Sequence, residues 1–137
     1  MFPGHCKKGA ITMKTILSAF AVLLASSVVS LAANPAKVMD SSSGKIYATA
    51  KGMTLYTFDE DAKGKSNCEA TCTETWLPFK AAADAKAEGK WTIVKRPDGS
   101  HMWAYDSRPL YTFALDTKAG EMKGNDMGGK WHVAKAE

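Results

Sequence analysis

The chain has 137 residues, a length suited to one domain, and its 45% hydrophobic and 23% charged content is typical of a soluble globular protein. Its formal net charge of +4 comes from 18 Lys and Arg against 14 Asp and Glu, but three of the lysines and none of the acids precede residue 33. The rest of the chain is nearly neutral, which disfavours nucleic acid and anionic lipid as partners.

Residues 1–32 have the pattern of a secretory signal peptide. Lys14 precedes a weakly polar to apolar run over 16–29, and small residues follow this run up to Ala32 and Ala33. The run is shorter than the roughly 20 residues that a spanning helix needs, so no transmembrane segment is predicted. We therefore expect cleavage after one of these two alanines and a periplasmic or secreted protein.

A lipid anchor is not expected on the mature chain. A bacterial lipoprotein carries a cysteine directly after its apolar run, whereas the cysteine of this region, Cys6, precedes the run. Met1 and Met13 are both candidate start residues, and residues 1–12 are an upstream extension if Met13 is the start.

After the leader, residues 33–44 contain Pro, Ser and Gly and few apolar side chains, which predicts a flexible lead-in to a single β domain over 45–137. The turns Lys51-Gly52 and Pro97-Asp98-Gly99 lie between β-prone runs and predict two hairpins. The predicted strands are 46–50, 53–58, 91–96, 101–105, 110–113 and 131–134.

Helix signals are weak and confined to two segments. Asn67 is a candidate cap for a helix over 68–75, and 81–88 is rich in Ala but has no apolar face to bury. The sequence therefore predicts a mostly β, antiparallel domain with long loops.

The second half of the domain repeats the first half at a shift of 55 residues. The segments 55–58 and 110–113 are both Leu-Tyr-Thr-Phe. The same register also pairs Asp61 with Asp116, Lys63 with Lys118 and Trp76 with Trp131. One register that accounts for so many identities predicts a small domain built from two pseudo-symmetric repeats, about 46–79 and 101–134.

Each copy contains the motif Y-x-[FWY]-x-x-D, at 56–61 and at 111–116. With this motif, the cysteine loop that ends in Trp76, the R-P-D-G turn at 96–99 and the closing W-H-V at 131–133, the chain resembles a bacterial family described as secreted repeats of unknown function or predicted lipoproteins. The resemblance covers nearly all of the mature chain. It implies an exported protein and assigns chemistry to no residue.

The motif aromatics form matched pairs, Tyr56 with Phe58 and Tyr111 with Phe113. Residues two apart in a strand share a face, so we expect these rings in the core; a ligand-facing aromatic surface, for sugar or a planar cofactor, is the alternative. The Asp of each motif follows the Phe by three residues, where a carboxylate accepts backbone N–H groups and fixes a turn.

Cys68 and Cys72 are the cysteines that remain after the leader, and an exported pair favours a disulfide. So short a ring contributes roughly 2 kcal/mol to the free energy of unfolding. The alternative is a copper or thiol-redox site, because C-x-x-x-C thiolates suit soft metals. Its further candidate ligands are His101, His132, Met102, Met122 and Met127. Without such a site, no cofactor is expected.

Catalytic motifs are absent from the sequence. Ser100 and His101 are neighbours beside Asp98, and adjacent residues of a strand point to opposite faces, so they do not form a triad. We expect no enzymatic activity. The sequence predicts an exported, non-catalytic binding or envelope-associated protein of unassigned ligand and partner, with a periplasmic copper-binding or thiol-redox protein as the alternative.

Overall fold

The fold comes from a computed structural model, which describes Gly4 and residues 34–136. Apart from Gly4, the predicted signal peptide at 1–32, its cleavage positions and Cys6 lie outside the described residues. The described chain is mostly β, as predicted, and all of its strand pairs are antiparallel.

The strands are short and the helices shorter. In chain order the strands are β1 (Lys37–Ser41), β2 (Gly44–Ala48), β3 (Tyr56–Phe58), β4 (Trp76–Pro78), β5 (Lys80–Ala81), β6 (Trp91–Lys95), β7 (His101–Tyr105), β8 (Arg108–Pro109), β9 (Tyr111–Phe113) and β10 (Trp131–Val133). Helix α1 (Cys72–Thr75) precedes β4, and a 3-10 turn (Met127–Gly129) precedes β10.

The segment expected to be a flexible lead-in, 33–44, instead contains strand β1, which pairs with β2 from Lys37↔Ala48 to Ser41↔Gly44. Its Ser and Gly residues form the turn of this hairpin. Gly44 has φ +91°, and the Ser41 hydroxyl donates to the Gly44 carbonyl oxygen at 2.7 Å. Short polar residues that suggest a linker in the sequence are also the residues that close a tight turn.

The two predicted hairpins differ in outcome. The second is present as β6 and β7, which pair from Trp91↔Tyr105 to Lys95↔His101. In the first, β2 and the residues after the turn share only the bridge Ala48↔Thr54, and β3 pairs in another sheet.

The predicted helices are reduced or missing. The helix expected over 68–75 is limited to the four residues of α1. The Ala-rich segment 81–88 forms no helix; it begins in β5 and continues as turns. Helix propensity without an apolar face to bury does not sustain a helix.

A central sheet with the strand order β10-β3-β9-β4 joins the two repeats. We call β3 and β9 the motif strands and β4 and β10 the closing strands. The motif strands pair at Tyr56↔Tyr111. Each closing strand pairs with the motif strand of the other repeat, through Trp131↔Phe58 and Trp76↔Phe113. The repeats are therefore interlocked.

Backbone hydrogen bonds follow the same symmetry. Asp59 N donates to Lys130 O at 2.8 Å, and at the equivalent place Ala114 N donates to Thr75 O at 2.9 Å. A second pair is equivalent in the structure, although its donors are 56 rather than 55 residues apart: Tyr47 N donates to Ala134 O at 2.9 Å, and Trp103 N donates to Phe79 O at 2.8 Å. The second pair lies in β2 and β7, so each repeat also includes its leading hairpin and starts earlier than the sequence comparison indicated.

Four aromatic rings stack across the middle of the sheet, in the order Phe58, Trp131, Trp76 and Phe113. Their centroids are 4.2, 3.8 and 4.5 Å apart. The two closing tryptophans are in contact and nearly parallel, at 4°. Each repeat contributes one Phe and one Trp, so neither copy buries this face alone.

Candidate functional site

The motif Tyr and Asp bind each other across the two repeats. The Tyr56 hydroxyl donates to Asp116 Oδ2 at 2.5 Å, and the Tyr111 hydroxyl donates to Asp61 Oδ2 at 2.7 Å. Each aspartate closes a turn of the same kind in its own repeat: Asp61 N donates to Phe58 O and Asp116 N donates to Phe113 O, each at 3.1 Å. The three-residue spacing from Phe to Asp thus aims each carboxylate at the tyrosine of the other copy.

Each aspartate also holds the loop that follows it. Asp61 Oδ1 accepts Asn67 N at 2.6 Å, and Asp116 Oδ1 accepts Lys123 N at 3.0 Å. One carboxylate therefore fixes a loop of its own repeat and a side chain of the other repeat. This double role explains why the motif requires an acid at this position.

The burial of the motif rings indicates that they stabilise the fold and do not face a ligand. Tyr56 and Tyr111 are 0% exposed and Phe113 is 2% exposed. Phe58 is half-buried but is covered by Trp131. The rings therefore lie in the core, and the alternative of a ligand-facing aromatic surface has no support from their position.

The electrostatics agree with neutral tyrosines as hydrogen-bond donors. Burial raises the pKa of both Tyr56 and Tyr111 far above the ordinary value. Burial also raises the pKa of Asp61, while hydrogen bonds from Asn67 and Tyr111 partly offset that rise. Tyr56, Tyr111 and Asp116 are buried, whereas Asp61 is partly exposed.

Arg96 is a buried cation that the sequence analysis did not single out. Its Nη1 donates to Ser66 Oγ at 2.8 Å, and its Nη2 donates to Cys68 O at 2.7 Å. Ser66 Oγ lies 2.5 Å from the hydroxyl of Tyr111, so the guanidinium is linked to the motif. In the sequence, Arg96 belonged to a turn signal; an Arg beside a Pro-Asp-Gly turn gives no local sign that it is buried.

Cys68 and Cys72 form a disulfide, with their Cα atoms 5.3 Å apart. Cys68 is fully buried, and Ala70 between the two cysteines has φ +51°. The disulfide keeps this five-residue loop in a turn and holds the Cys68 carbonyl that accepts Arg96. We call residues 68–72 the disulfide loop.

A groove of about 450 Å³ separates the disulfide loop and β4 from the R-P-D-G turn. Leu77 of β4 lies on its wall and is 45% exposed. Lys80 and Arg96 contribute positive charge, and Glu69 and Asp98 contribute negative charge. The groove therefore offers an apolar wall between groups of both signs, which suits a small amphipathic ligand.

The two repeats differ at this groove. At a shift of 55 residues, Leu77 corresponds to His132 and Arg96 corresponds to Ser41. The cysteines of the first repeat correspond to Lys123 and Met127 in the second. The disulfide, the buried cation and the apolar wall therefore occur together at one of the two equivalent positions.

His132 lies on β10 and bridges the two repeats. Its Nε2 is 2.8 Å from Asp59 Oδ2, and its Nδ1 is 3.0 Å from Asp126 Oδ1. The carboxylate of Asp59 contributes most to raising the pKa of His132, and that of Asp126 adds to it. With a carboxylate on each nitrogen, the charged form of the ring is favoured and both nitrogens are engaged, so the ring is poorly placed to act as a general base.

The copper alternative has no assembled site in the described residues. The two sulfurs are joined in a disulfide and are not the free thiolates that a soft metal needs. His101 is in β7 and His132 is bound to carboxylates, while Met127 is 40% exposed in the 3-10 turn. Over residues 34–136, no group of three or more His, Cys, Asp or Glu side chains is arranged to hold a metal ion.

Comparison with known proteins identifies a family. A family described as a secreted repeat of unknown function matches residues 37–80 and 92–135, which together exceed half of the chain. Both matched segments start at the leading hairpin of a repeat, in agreement with the fold. No curated protein and no solved structure matches the chain. Within the part of the chain that the structure describes, no helix is both long enough and apolar enough to span a bilayer.

Proposed function

We propose, since the chain belongs to the family of secreted repeats of unknown function, that it is an exported, non-catalytic binding protein of the cell envelope or exterior. The leader at 1–32 directs it to the periplasm or the medium and is removed after Ala32 or Ala33. The ligand binds in the groove beside the disulfide loop.

The observation that carries this proposal is the difference between the repeats at the groove. The hydrogen bonds and ring stacks of the core are duplicated, because both copies need them to fold. The groove has no counterpart of the same chemistry in the other repeat. Side chains that depart from the shared pattern and leave Leu77 exposed are better explained by binding than by folding.

The side chains that could act in catalysis are already bonded to other groups of the protein, which supports a role without catalysis. The cysteines are joined in a disulfide, the motif tyrosines and aspartates are hydrogen-bonded to each other, and His132 lies between two carboxylates. The chemistry of the groove is that of recognition, through apolar contact and charge.

The test of the binding site is a nuclear magnetic resonance titration of the mature, ¹⁵N-labelled protein. The probes are acetate, glycine, a trialanine peptide and N-acetylglucosamine, each added alone. We expect at least one probe to shift the backbone amides of Leu77, Lys80 and Ser100. Shifts confined to another surface, or none with any probe, would contradict the groove as a binding site.

Two matched substitutions make this test specific. Leu77→Glu places a charge on the groove wall, and Leu115→Glu places the same charge at a leucine that is 62% exposed elsewhere. The first should abolish the shifts and the second should leave them unchanged.

Export is tested separately by mass spectrometry of protein from periplasm and medium, where an N-terminus at Ala33 or Asn34 without lipid is expected. An intact leader or an acylated N-terminus would contradict the export proposal.

A further inference from the structure

We propose that this chain exchanges repeats with a second copy of itself at millimolar concentration, or when the connection between its repeats is too short, so that the first repeat of one chain completes the second repeat of the other. The partner surface is the one that joins the repeats within a single chain. This inference is independent of the groove and of its ligand.

The first argument is that the strands of the central sheet pair between the repeats and not within them. Every pair in the central sheet joins a strand of one repeat to a strand of the other. Strand β5 of the first repeat likewise pairs with β7 of the second, and Ala136 N donates to Lys45 O at 2.9 Å. The bonds that hold the central sheet therefore do not depend on the two repeats belonging to one chain.

The side chains give the same result. The motif hydrogen bonds and the Trp76–Trp131 stack cross from repeat to repeat. An exchanged dimer contains each of these contacts twice, once in each reassembled unit. Its contact energy per chain therefore equals that of the monomer.

The second argument is the nature of the connection. Residues 82–90 link β5 to β6, and all of them except Ala85 are exposed. None of them belongs to either cluster of buried hydrophobic residues. The connection can therefore extend from one unit to another with little loss of core packing.

Effective concentration decides between the two forms. A short flexible linker holds its ends at an effective concentration on the order of millimolar, so the monomer dominates at micromolar protein. If the connection is too short to reach, the intramolecular form is lost and only the exchanged dimer can make the contacts.

The required reach follows from the sheet that contains β5, β7 and β6 in this order. Ala81 pairs with His101, and Trp91 pairs with Tyr105 at the opposite end of β7. Ala81 and Trp91 are therefore two strand spacings apart across the sheet and four residues apart along it, which gives a separation of about 16 Å between their Cα atoms. Deleting 83–89 leaves three Cα–Cα steps, which span at most about 11 Å.

The experiment is the mature chain lacking 83–89, studied by size-exclusion chromatography with light scattering. We expect twice the monomer mass, together with the near-ultraviolet circular dichroism of the natural protein. The matched control replaces 83–89 by seven Gly and Ser residues and should stay monomeric. A shortened chain that is folded and monomeric would overturn the proposal.

A second measurement covers a shortened chain that fails to fold. The natural mature chain is refolded from urea at concentrations from about 10 micromolar to several millimolar and then diluted. Exchange predicts a dimer that grows over this range, keeps its mass on dilution and reverts to monomer only after unfolding. No dimer at the highest concentration, or a dimer that dissociates at once on dilution, would overturn the proposal.

Discussion

The motif hydrogen bonds make a quantitative prediction about Tyr111→Phe. This change removes one hydroxyl and leaves the ring, so the stacking and the packing of the core are preserved. What is lost is the donor to Asp61 Oδ2 at 2.7 Å and the contact with Ser66 Oγ at 2.5 Å. The perturbation therefore isolates the polar half of the motif.

The magnitude follows from the charge and burial of the acceptor. A hydrogen bond to a charged group contributes about 1.5–3 kcal/mol, and Asp61 keeps its second bond, from Asn67 N. We expect Tyr111→Phe to lower the free energy of unfolding by about 2 kcal/mol. For a domain of this size, that loss lowers the melting temperature by roughly 10 °C.

Urea unfolding and thermal unfolding of the mature protein measure this loss. The matched control is Tyr105→Phe, because that ring also packs against aromatic neighbours, with Tyr47 at 4.7 Å and Trp91 at 4.9 Å. Among the described residues, the Tyr105 hydroxyl has no hydrogen-bond partner. The control should change stability by less than about 0.5 kcal/mol. Equal effects of the two substitutions would refute the cross-repeat role of the motif.

The same tyrosine predicts behaviour at alkaline pH. Burial raises the pKa of Tyr111 above its ordinary value of 10.0, so the folded protein keeps the phenol proton that the unfolded chain releases. This contribution to stability is fully present below pH 10 and is lost as the pH rises toward the folded-state pKa. In Tyr111→Phe, stability should fall less steeply above pH 10, and an unchanged slope would speak against a buried, neutral phenol.

Three further outcomes can be checked by urea unfolding. The double substitution Cys68→Ser, Cys72→Ser should leave the protein folded and about 2 kcal/mol less stable, and loss of folding would show that the disulfide does more than close a short ring. The pKa of His132 is raised above 6.5, so its contribution is present below pH 6.5 and is lost as the pH rises through the folded-state pKa; His132→Gln should remove that dependence. Gly124→Ala places a Cβ 2.5 Å from a tryptophan ring carbon in the stack and should cost about 1–3 kcal/mol, whereas Gly120→Ala meets no atom within 4 Å and should cost less, through its positive φ alone. The reverse order of these two glycine variants would contradict the packing of the stack.

The sequence by itself determined the fold class, the duplication and the disulfide loop. A strand needs only alternating or β-prone residues between turn residues, and these signals are local. The identity of 55–58 with 110–113 and the shared spacing to Trp76 and Trp131 reveal two copies of one unit. Cys68 and Cys72 are the cysteines that remain after the leader, so in an exported chain each is the expected partner of the other.

The tertiary structure alone decided which copy supplies each closing strand. Each closing strand follows the motif strand of its own repeat at the same distance in the sequence, so pairing within a repeat satisfies the local pattern as well as pairing between repeats. The choice is made by the aromatic rings, because only the interlocked arrangement brings Trp76 against Trp131 and each motif tyrosine to an aspartate.

The remaining differences have the same origin in long-range contacts. β1 is a strand because β2 pairs with it, although the turn residues 41–44 suggested a linker. Arg96 is buried because its acceptors, Ser66 and Cys68, come from the other repeat, some 30 residues earlier in the chain. The groove exists because the disulfide loop and the R-P-D-G turn meet across the repeats. A local pattern records the conformation that each segment favours, whereas burial and pairing depend on which distant segment packs against it.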